Sequence, residues 1–195
     1  MARDPEKSAR RSAVRERRRE LAAGRDAGAD GAALASHVLD LLEDLGLSAG
    51  AVVTSYASVP GEPPTGPVND ALAGAGIRVL LPVTLPDLDL DWCVASDPLE
   101  TRLGLDAVAG ADLVLAPGLA VDSRGTRMGQ GGGCYDRALP RRHPGVPVVV
   151  LLHPGEALGE DELPLPRRDH DQPVDAVVTA DGLVDLGLSR RRPPA

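Results

Sequence analysis

A chain of 195 residues with 43% hydrophobic and 26% charged side chains has the length and balance of one folded domain, which excludes disorder throughout. Charge is divided: residues 1–25 hold nine basic and four acidic side chains, a net of +5, whereas the rest holds 12 basic and 25 acidic, a net of −13. The acidic body excludes a general nucleic-acid binder, which needs a broad basic surface. Cys93 and Cys134 are too few for a disulfide framework, and no apolar run approaches the roughly 18 residues of a membrane helix.

The start of the chain lacks the apolar stretch of a signal peptide, and Asp4, Glu6, Glu16 and Glu20 argue against a transit peptide; a cytoplasmic location is expected. Residues 5–22 read as a helix, with Pro5 suited to the first turn and Gly24 closing the run. Its apolar face (Ala9, Ala13, Val14, Leu21, Ala22) is thin, which puts it on the surface of the domain. Lys7, the only lysine, and Arg11 are spaced i, i+4 and project from one face; a solvated basic face is the plain alternative. A second helix is expected over 30–45, where Leu34, Val38, Leu41, Leu42 and Leu45 form a buried stripe and Gly46 is a stop.

Beyond it the chain alternates. Apolar, β-branched runs at 51–56, 77–81, 112–116, 146–152 and 174–179 are separated by helix-like stretches near 67–75, 104–110 and 134–142. Continuous apolar runs between helices predict a three-layer α/β/α sandwich around a mostly parallel sheet. With one Trp, two Tyr and no Phe, its core must be built from Leu, Val and Ala. Ligands of such sheets collect at the carboxyl ends of the strands, which singles out the loops 57–66, 117–133 and 153–173. Residues 1–187 form a single domain in this reading, and 188–195 a flexible basic tail.

The segment Arg127-Met-Gly-Gln-Gly-Gly-Gly-Cys-Tyr-Asp-Arg137 carries the chemistry. Glycines let backbone N–H groups converge, and a helix start at Cys134 adds partial positive charge, so Gly129–Gly133 reads either as an anion cradle or as a flexible turn. It is not a Walker loop, because no Lys-Ser/Thr follows, and Cys134 stands where the dinucleotide fingerprint needs its third glycine. Taken alone, Asp136 is also explained as helix N-terminal charge and Asp171 as a turn residue before Pro173. His170 next to Asp171 suggests a hydrolase pair, but no Gly-x-Ser-x-Gly elbow accompanies them. His37, His143 and His153 read as surface or loop residues.

The stretch from Ala111 to Leu139, about 29 residues, resembles the signature of the 5-formyltetrahydrofolate cyclo-ligase family (5,10-methenyltetrahydrofolate synthetase). Weaker similarities lie in the expected order at Lys7 to Arg11, Tyr56 to Thr65 and His170 to Asp175, so the resemblance spans nearly the whole chain. It implies the same α/β/α fold and an ATP- and Mg²⁺-dependent cyclisation of 5-formyltetrahydrofolate. ATP would be bound by Lys7, Arg11 and the run Arg127, Met128, Gly129, Gln130, Gly131, Gly132, Gly133, Cys134 and Tyr135. Lys7 and Arg127 would act in catalysis on the phosphoryl group, and Asp136 and Asp171 would hold the metal. The folate would meet Ala57, Glu62 and residues Gln130 through Cys134. No nucleic-acid or membrane partner is implied, and the chain is expected to be a monomer or small homo-oligomer.

These residue types suit that chemistry. Mg²⁺ takes one or two carboxylates and keeps waters and phosphate oxygens in its other positions. A cationic cluster stabilises charge on a transferring phosphoryl group. Gln130 stands where the family usually has a basic or aromatic residue, and Cys134 where an aromatic is usual. Those departures leave open a binding protein without turnover, or an ATP-using enzyme for another N-acyl substrate.

Overall fold

The computed structural model describes residues 5–97, 99–168 and 171–190. His170, paired above with Asp171, and residues 191–195 of the expected tail lie outside the described residues. Seven strands form one sheet in the order β3-β2-β1-β4-β7-β8-β9. Its centre is parallel: β1 (Val52–Thr54) lies between β2 (Arg78–Thr84) and β4 (Leu113–Pro117), followed by β7 (Val148–Leu151) and β8 (Ala176–Thr179). All five match the apolar runs of the sequence. Two antiparallel edge strands were not expected, β3 (Leu90–Val94) and β9 (Gly182–Asp185). A separate two-stranded ribbon pairs β5 (Ala120–Val121) with β6 (Arg127–Met128).

The continuous apolar runs arise because both faces of the sheet are covered. Alternate residues of β4 and β7 serve opposite cores. Leu113, Leu115, Val149 and Leu151 pack under helix α2 (Ala27–Asp44) and helix α3 (Gly66–Gly74). Val114, Ala116, Val148 and Val150 face Trp92, Val108, Tyr135, Ala138 and Leu139 on the other side. Leu34, Leu41 and Leu72 are each 1% exposed or less, and burial of such a side chain stabilises by about 1.5–3 kcal/mol relative to leaving it in water.

Helix α2 starts three residues before the expected point. The Asp26 carboxylate accepts the N–H groups of Gly28 and Ala29, an N-cap that its weakly apolar first turn does not advertise. Its end is as expected. Gly46 has φ +68°, donates to the Glu43 carbonyl, and lets Leu47 donate back to Leu42, the paired bonds of a Schellman turn. The stretch near 104–110 is a 3₁₀ helix (Leu105–Gly110), and that near 134–142 divides into α4 (Cys134–Ala138) and a 3₁₀ turn (Leu139–Arg141). Pro140 lacks an N–H and its ring crowds the preceding turn, which stops the α-helix there.

Helix α1 (Pro5–Ala23) covers neither face of the sheet. Val14 packs with Leu119, Ala120, Met128, Leu158 and Leu165, all on segments leaving the carboxyl ends of β4 and β7. At the other end of the chain, residues 188–190 form a 3₁₀ turn whose Leu188 is buried in the core under α2. No described helix is long and apolar enough to cross a membrane.

Candidate active site

Three neighbouring strands, β1, β4 and β7, point their carboxyl ends at the layer that α1 closes. One face of α1 supplies the stripe Lys7, Arg11, Arg15 and Arg18, spaced at 4, 4 and 3 residues, one above another along the helix. Arg18 descends furthest. Its side chain is 7% exposed, and it binds Glu156 through Nε and Nη2 at 2.6 and 2.7 Å and the Gly118 carbonyl at 2.6 Å. Arg11 Nε donates to the Gly129 carbonyl at 3.0 Å. Arg15 donates to the Gln130 carbonyl at 2.8 Å and to its side-chain oxygen at 3.1 and 3.2 Å.

The glycine loop is therefore oriented by its carbonyls. Those of Gly129 and Gln130 face α1, that of Gly132 accepts from Arg137 at 3.1 Å, and that of Gly133 accepts the Arg137 amide. Among the described residues, none of the five amides from Gly129 to Gly133 has an acceptor within the protein. A run of amides whose carbonyls are tied back is a nest for an anion. Glycine is required at two points, since Gly131 has φ +106° and Gly133 φ +72°, and a Cβ on Gly131 would lie 3.2 Å from the Arg11 guanidinium. With only five residues in α4, the amides carry the attraction rather than the helix dipole.

Arg127 leaves the β6 ribbon into the interior. Its side chain is 5% exposed, bonds Asp136 at 2.8 Å and the Pro117 carbonyl at 3.2 Å, and lies 5.6 Å from the centre of the Tyr135 ring, within cation–π range. Lys7 meets Asp171 at 2.6 Å, and Asp171 also takes the Arg168 amide at 2.7 Å. The two carboxylates expected to hold a metal are thus each paired with a cation expected to hold phosphate. Of these four residues Arg127 lies against the glycine loop, where a Cβ on Gly129 would meet its Nη1 at 2.8 Å, and Lys7 stands one turn before Arg11, which reaches the loop from α1.

Glu62 lies on the loop after β1, and lines a shallow cavity of about 170 Å³ with Arg15, Arg18, Leu119 and Gln130. This brings together the two residues, Glu62 and Gln130, expected to contact one substrate. Ala57 is exposed at the base of the same loop. Tyr56 and Tyr135 are buried, and among the described residues their hydroxyls have no hydrogen-bond partner, nor do the buried Arg127 Nε and Arg18 Nη1. Burial pushes the Tyr56 phenol well above its ordinary range, and it raises Tyr135 too; the Glu62 carboxylate pushes both the same way. Both phenols therefore stay neutral donors.

Among the described residues no group of three or more His, Cys, Asp and Glu side chains stands together as a metal cage. A donor set of one or two separated carboxylates beside an anion nest fits Mg²⁺ carried with a phosphate, and does not fit a cation held by protein alone.

Arg15, Arg18, Arg137 and Glu156 were not singled out by sequence. The signal for the first two was available, because the Lys7–Arg11 spacing continues to Arg15 and Arg18 along one helical stripe. His153 is a loop residue, as one of the two readings had it, but a buried one: it is 5% exposed, with Nε2 3.2 Å from the Gly61 carbonyl.

Residues 3–180 match the model of the 5-formyltetrahydrofolate cyclo-ligase family. The chain is 33% identical over 147 residues to 5-formyltetrahydrofolate cyclo-ligase of Mycolicibacterium smegmatis, a match covering 67% of this chain and 74% of that protein. It is 32% identical over 143 residues to the protein of the same name in Escherichia coli, covering 65% and 76%. The fold is similar to a solved 5,10-methenyltetrahydrofolate synthetase from Mycoplasma pneumoniae, with a TM-score of 0.69 over 87% of this chain and 98% of that one. At 16% identity that likeness concerns the fold alone.

Proposed function

The chain belongs to the 5-formyltetrahydrofolate cyclo-ligase family and is an enzyme of that class, and from that premise we propose that it converts 5-formyltetrahydrofolate to 5,10-methenyltetrahydrofolate at the expense of ATP bound with Mg²⁺. The observation that carries the ATP half of this reading is the nest Gly129–Gly133, five amides that have no protein acceptor among the described residues, beside Arg11 and Arg127.

The chemical difficulty is the formyl amide, whose carbon is a poor electrophile and whose oxygen is a poor leaving group. Transfer of the terminal phosphoryl group of ATP onto that oxygen releases ADP and makes the carbon iminium-like. N10 then attacks the same carbon and gives up its proton, and the C–O bond breaks to release phosphate, leaving the methenyl bridge. Holding N10 within reach makes ring closure unimolecular, where positioning has its largest effect. No protein nucleophile is needed.

Each side chain then has a task. The nest amides and Arg11 hold the phosphates. Lys7 and Arg127 stabilise charge that grows on the transferring group. Asp136 and Asp171 would hold Mg²⁺, whose contribution is to neutralise phosphate charge and fix its orientation. Glu62, beside Gln130 in the shared cavity, accepts hydrogen bonds from the folate. Gln130 supports this assignment of the folate wall, because Arg15 donates to its side-chain oxygen on the wall of the cavity that Glu62 also lines.

Purified protein mixed with 5-formyltetrahydrofolate, ATP and Mg²⁺ is expected to develop methenyl absorbance with one ADP per turnover. Absence of that absorbance, with ATP binding demonstrated by calorimetry, would refute the assignment. ADP release on a different N-formyl or N-acyl substrate would move the enzyme to that substrate.

A further inference from the structure

The apex of the Glu62 loop, residues 59–62, is braced from within by two short bonds. Val59 N–H donates to the Glu62 carboxylate at 3.2 Å, and Glu62 N–H donates to the Val59 carbonyl at 3.0 Å. Both ends of each bond belong to the apex, so neither fixes where the apex sits. The base of the loop is anchored to the start of α3, where Thr65 Oγ1 and Asn69 Nδ2 donate to the Tyr56 carbonyl at 2.6 and 3.1 Å. Among the described residues, one hydrogen bond reaches the apex from elsewhere in the fold: His153 Nε2 to the Gly61 carbonyl, 3.2 Å across 92 positions of sequence.

His153 is well built for that purpose. It is the second residue beyond β7 and is 5% exposed. Its own amide donates to Glu156 Oε2 at 2.8 Å, its carbonyl accepts the Glu156 amide at 3.1 Å, and Glu156 in turn is gripped by Arg18 of α1. On the other side, Nδ1 lies 3.9 Å from Asp30 of α2, whose carboxylate Arg25 holds at 2.8 Å. A carbonyl can only accept, so Nε2 carries the hydrogen. The backbone of His153 is thus tied to α1 through Glu156, its ring lies beside Asp30 of α2, and the loop hangs from the ring.

We propose that His153 is a positioning residue for the substrate: its Nε2–H, donated to the Gly61 carbonyl, sets the Glu62 apex against α1 and fixes the width of the cavity shared with Gln130 and Arg15. This rests on the reading of Glu62 as a folate contact. Among the described residues its hydrogen-bond and charge partners are Gly61, Glu156 and Asp30, none of them assigned to phosphate, so its influence falls on the folate and not on ATP.

The test compares two amides. In His153→Gln the amide nitrogen replaces Nε2 and reaches the Gly61 carbonyl; in His153→Asn it sits near the Nδ1 position and falls short. His153→Asn is expected to raise KM for 5-formyltetrahydrofolate about three- to tenfold, the range for one lost hydrogen bond, with KM for ATP changed less than twofold. His153→Gln should keep KM near the parent value. Hydrogen exchange of the Val59, Gly61 and Glu62 amides should quicken in the Asn variant and not in the Gln variant, with no substrate present. Equal folate KM in both variants and the parent overturns the proposal, as does a parallel loss of folate KM, ATP KM and thermal stability in both. Faster apex exchange in His153→Asn from a parent protein that makes no methenyl product leaves the tether standing and rejects the substrate reading instead.

Discussion

Removing the cation of the Arg18–Glu156 pair tests the account of how α1 is held over the strand ends. Arg18 is 7% exposed and Glu156 1%, and two hydrogen bonds of 2.6 and 2.7 Å join them. Arg18→Met keeps most of the stem's volume but leaves the Glu156 carboxylate buried with the His153 amide as its remaining donor among the described residues. It also strips the Gly118 carbonyl of its guanidinium. Breaking one side of a buried pair costs about 3–5 kcal/mol, mainly the penalty of an uncompensated charge. For a domain of this size that corresponds to a fall in Tm of roughly 6 to 20 °C. Urea unfolding followed by fluorescence reads the effect directly, because the one tryptophan, Trp92, is fully buried. Adding Glu156→Gln, which removes the stranded charge and keeps an acceptor for the His153 amide, should recover a large part of the loss. The reasoning is refuted if Arg18→Met costs less than about 1 kcal/mol, within reach of an exposed pair, or if the double variant is no more stable than the single one.

Three further outcomes are expected. Gly125→Ala should lower unfolding free energy by at least about 2 kcal/mol, since left-handed backbone disfavours a Cβ; here φ is +73° and that Cβ would lie 2.6 Å from the Val174 carbonyl oxygen. Asp136→Asn should reduce Mg²⁺-supported turnover at least about tenfold, the scale of one lost transition-state contact. Because it also releases Arg127 from its carboxylate, ATP in excess EDTA should bind the variant at least as tightly as the parent by calorimetry. Acid should unfold the protein in a defined window. Hydrogen bonds from Arg25 and Arg141 hold the Asp30 and Asp89 carboxyls below their ordinary value of 3.8. At Asp122 burial pushes upward, but Arg124 and the amides of Thr126 and Leu165 prevail and lower it. Depressed carboxyls contribute stability that is complete above the unfolded value and lost as pH falls through the folded ones. Urea midpoints should therefore hold from pH 7 to 5 and decline below about 4, and a flat profile down to pH 3 would contradict these assignments.

The two edge strands show where local sequence reading stops. In β3, Leu90 and Trp92 alternate with Asp89 and Asp91, a clear period of two, but aspartate disfavours strands and the run resembles an acidic loop. It forms because Arg141, 52 residues away, takes up the Asp89 charge at 2.7 Å while Trp92 enters the core. In β9 the Asp181-Gly182 pair marks a turn after the apolar run of β8, yet four half-exposed residues carry little pattern of their own. The site divides in the same way. Arg127, Asp136 and the glycine loop lie within one motif, whereas Arg15 and Arg18 required the stripe on α1 to be followed further.

Sequence by itself determined the layers, the five central strands, the family and the extent of the glycine-loop motif, because apolar periodicity and a contiguous motif are local properties that survive without coordinates. Tertiary structure alone decided that the Gly129 and Gln130 carbonyls turn toward α1, that Lys7 pairs with Asp171 and Arg127 with Asp136, and that His153 hangs the Glu62 loop. Those contacts join residues 9 to 164 positions apart. They depend on how parallel strands bring their carboxyl ends to one side of the sheet, a consequence of the whole chain's path that no single segment encodes.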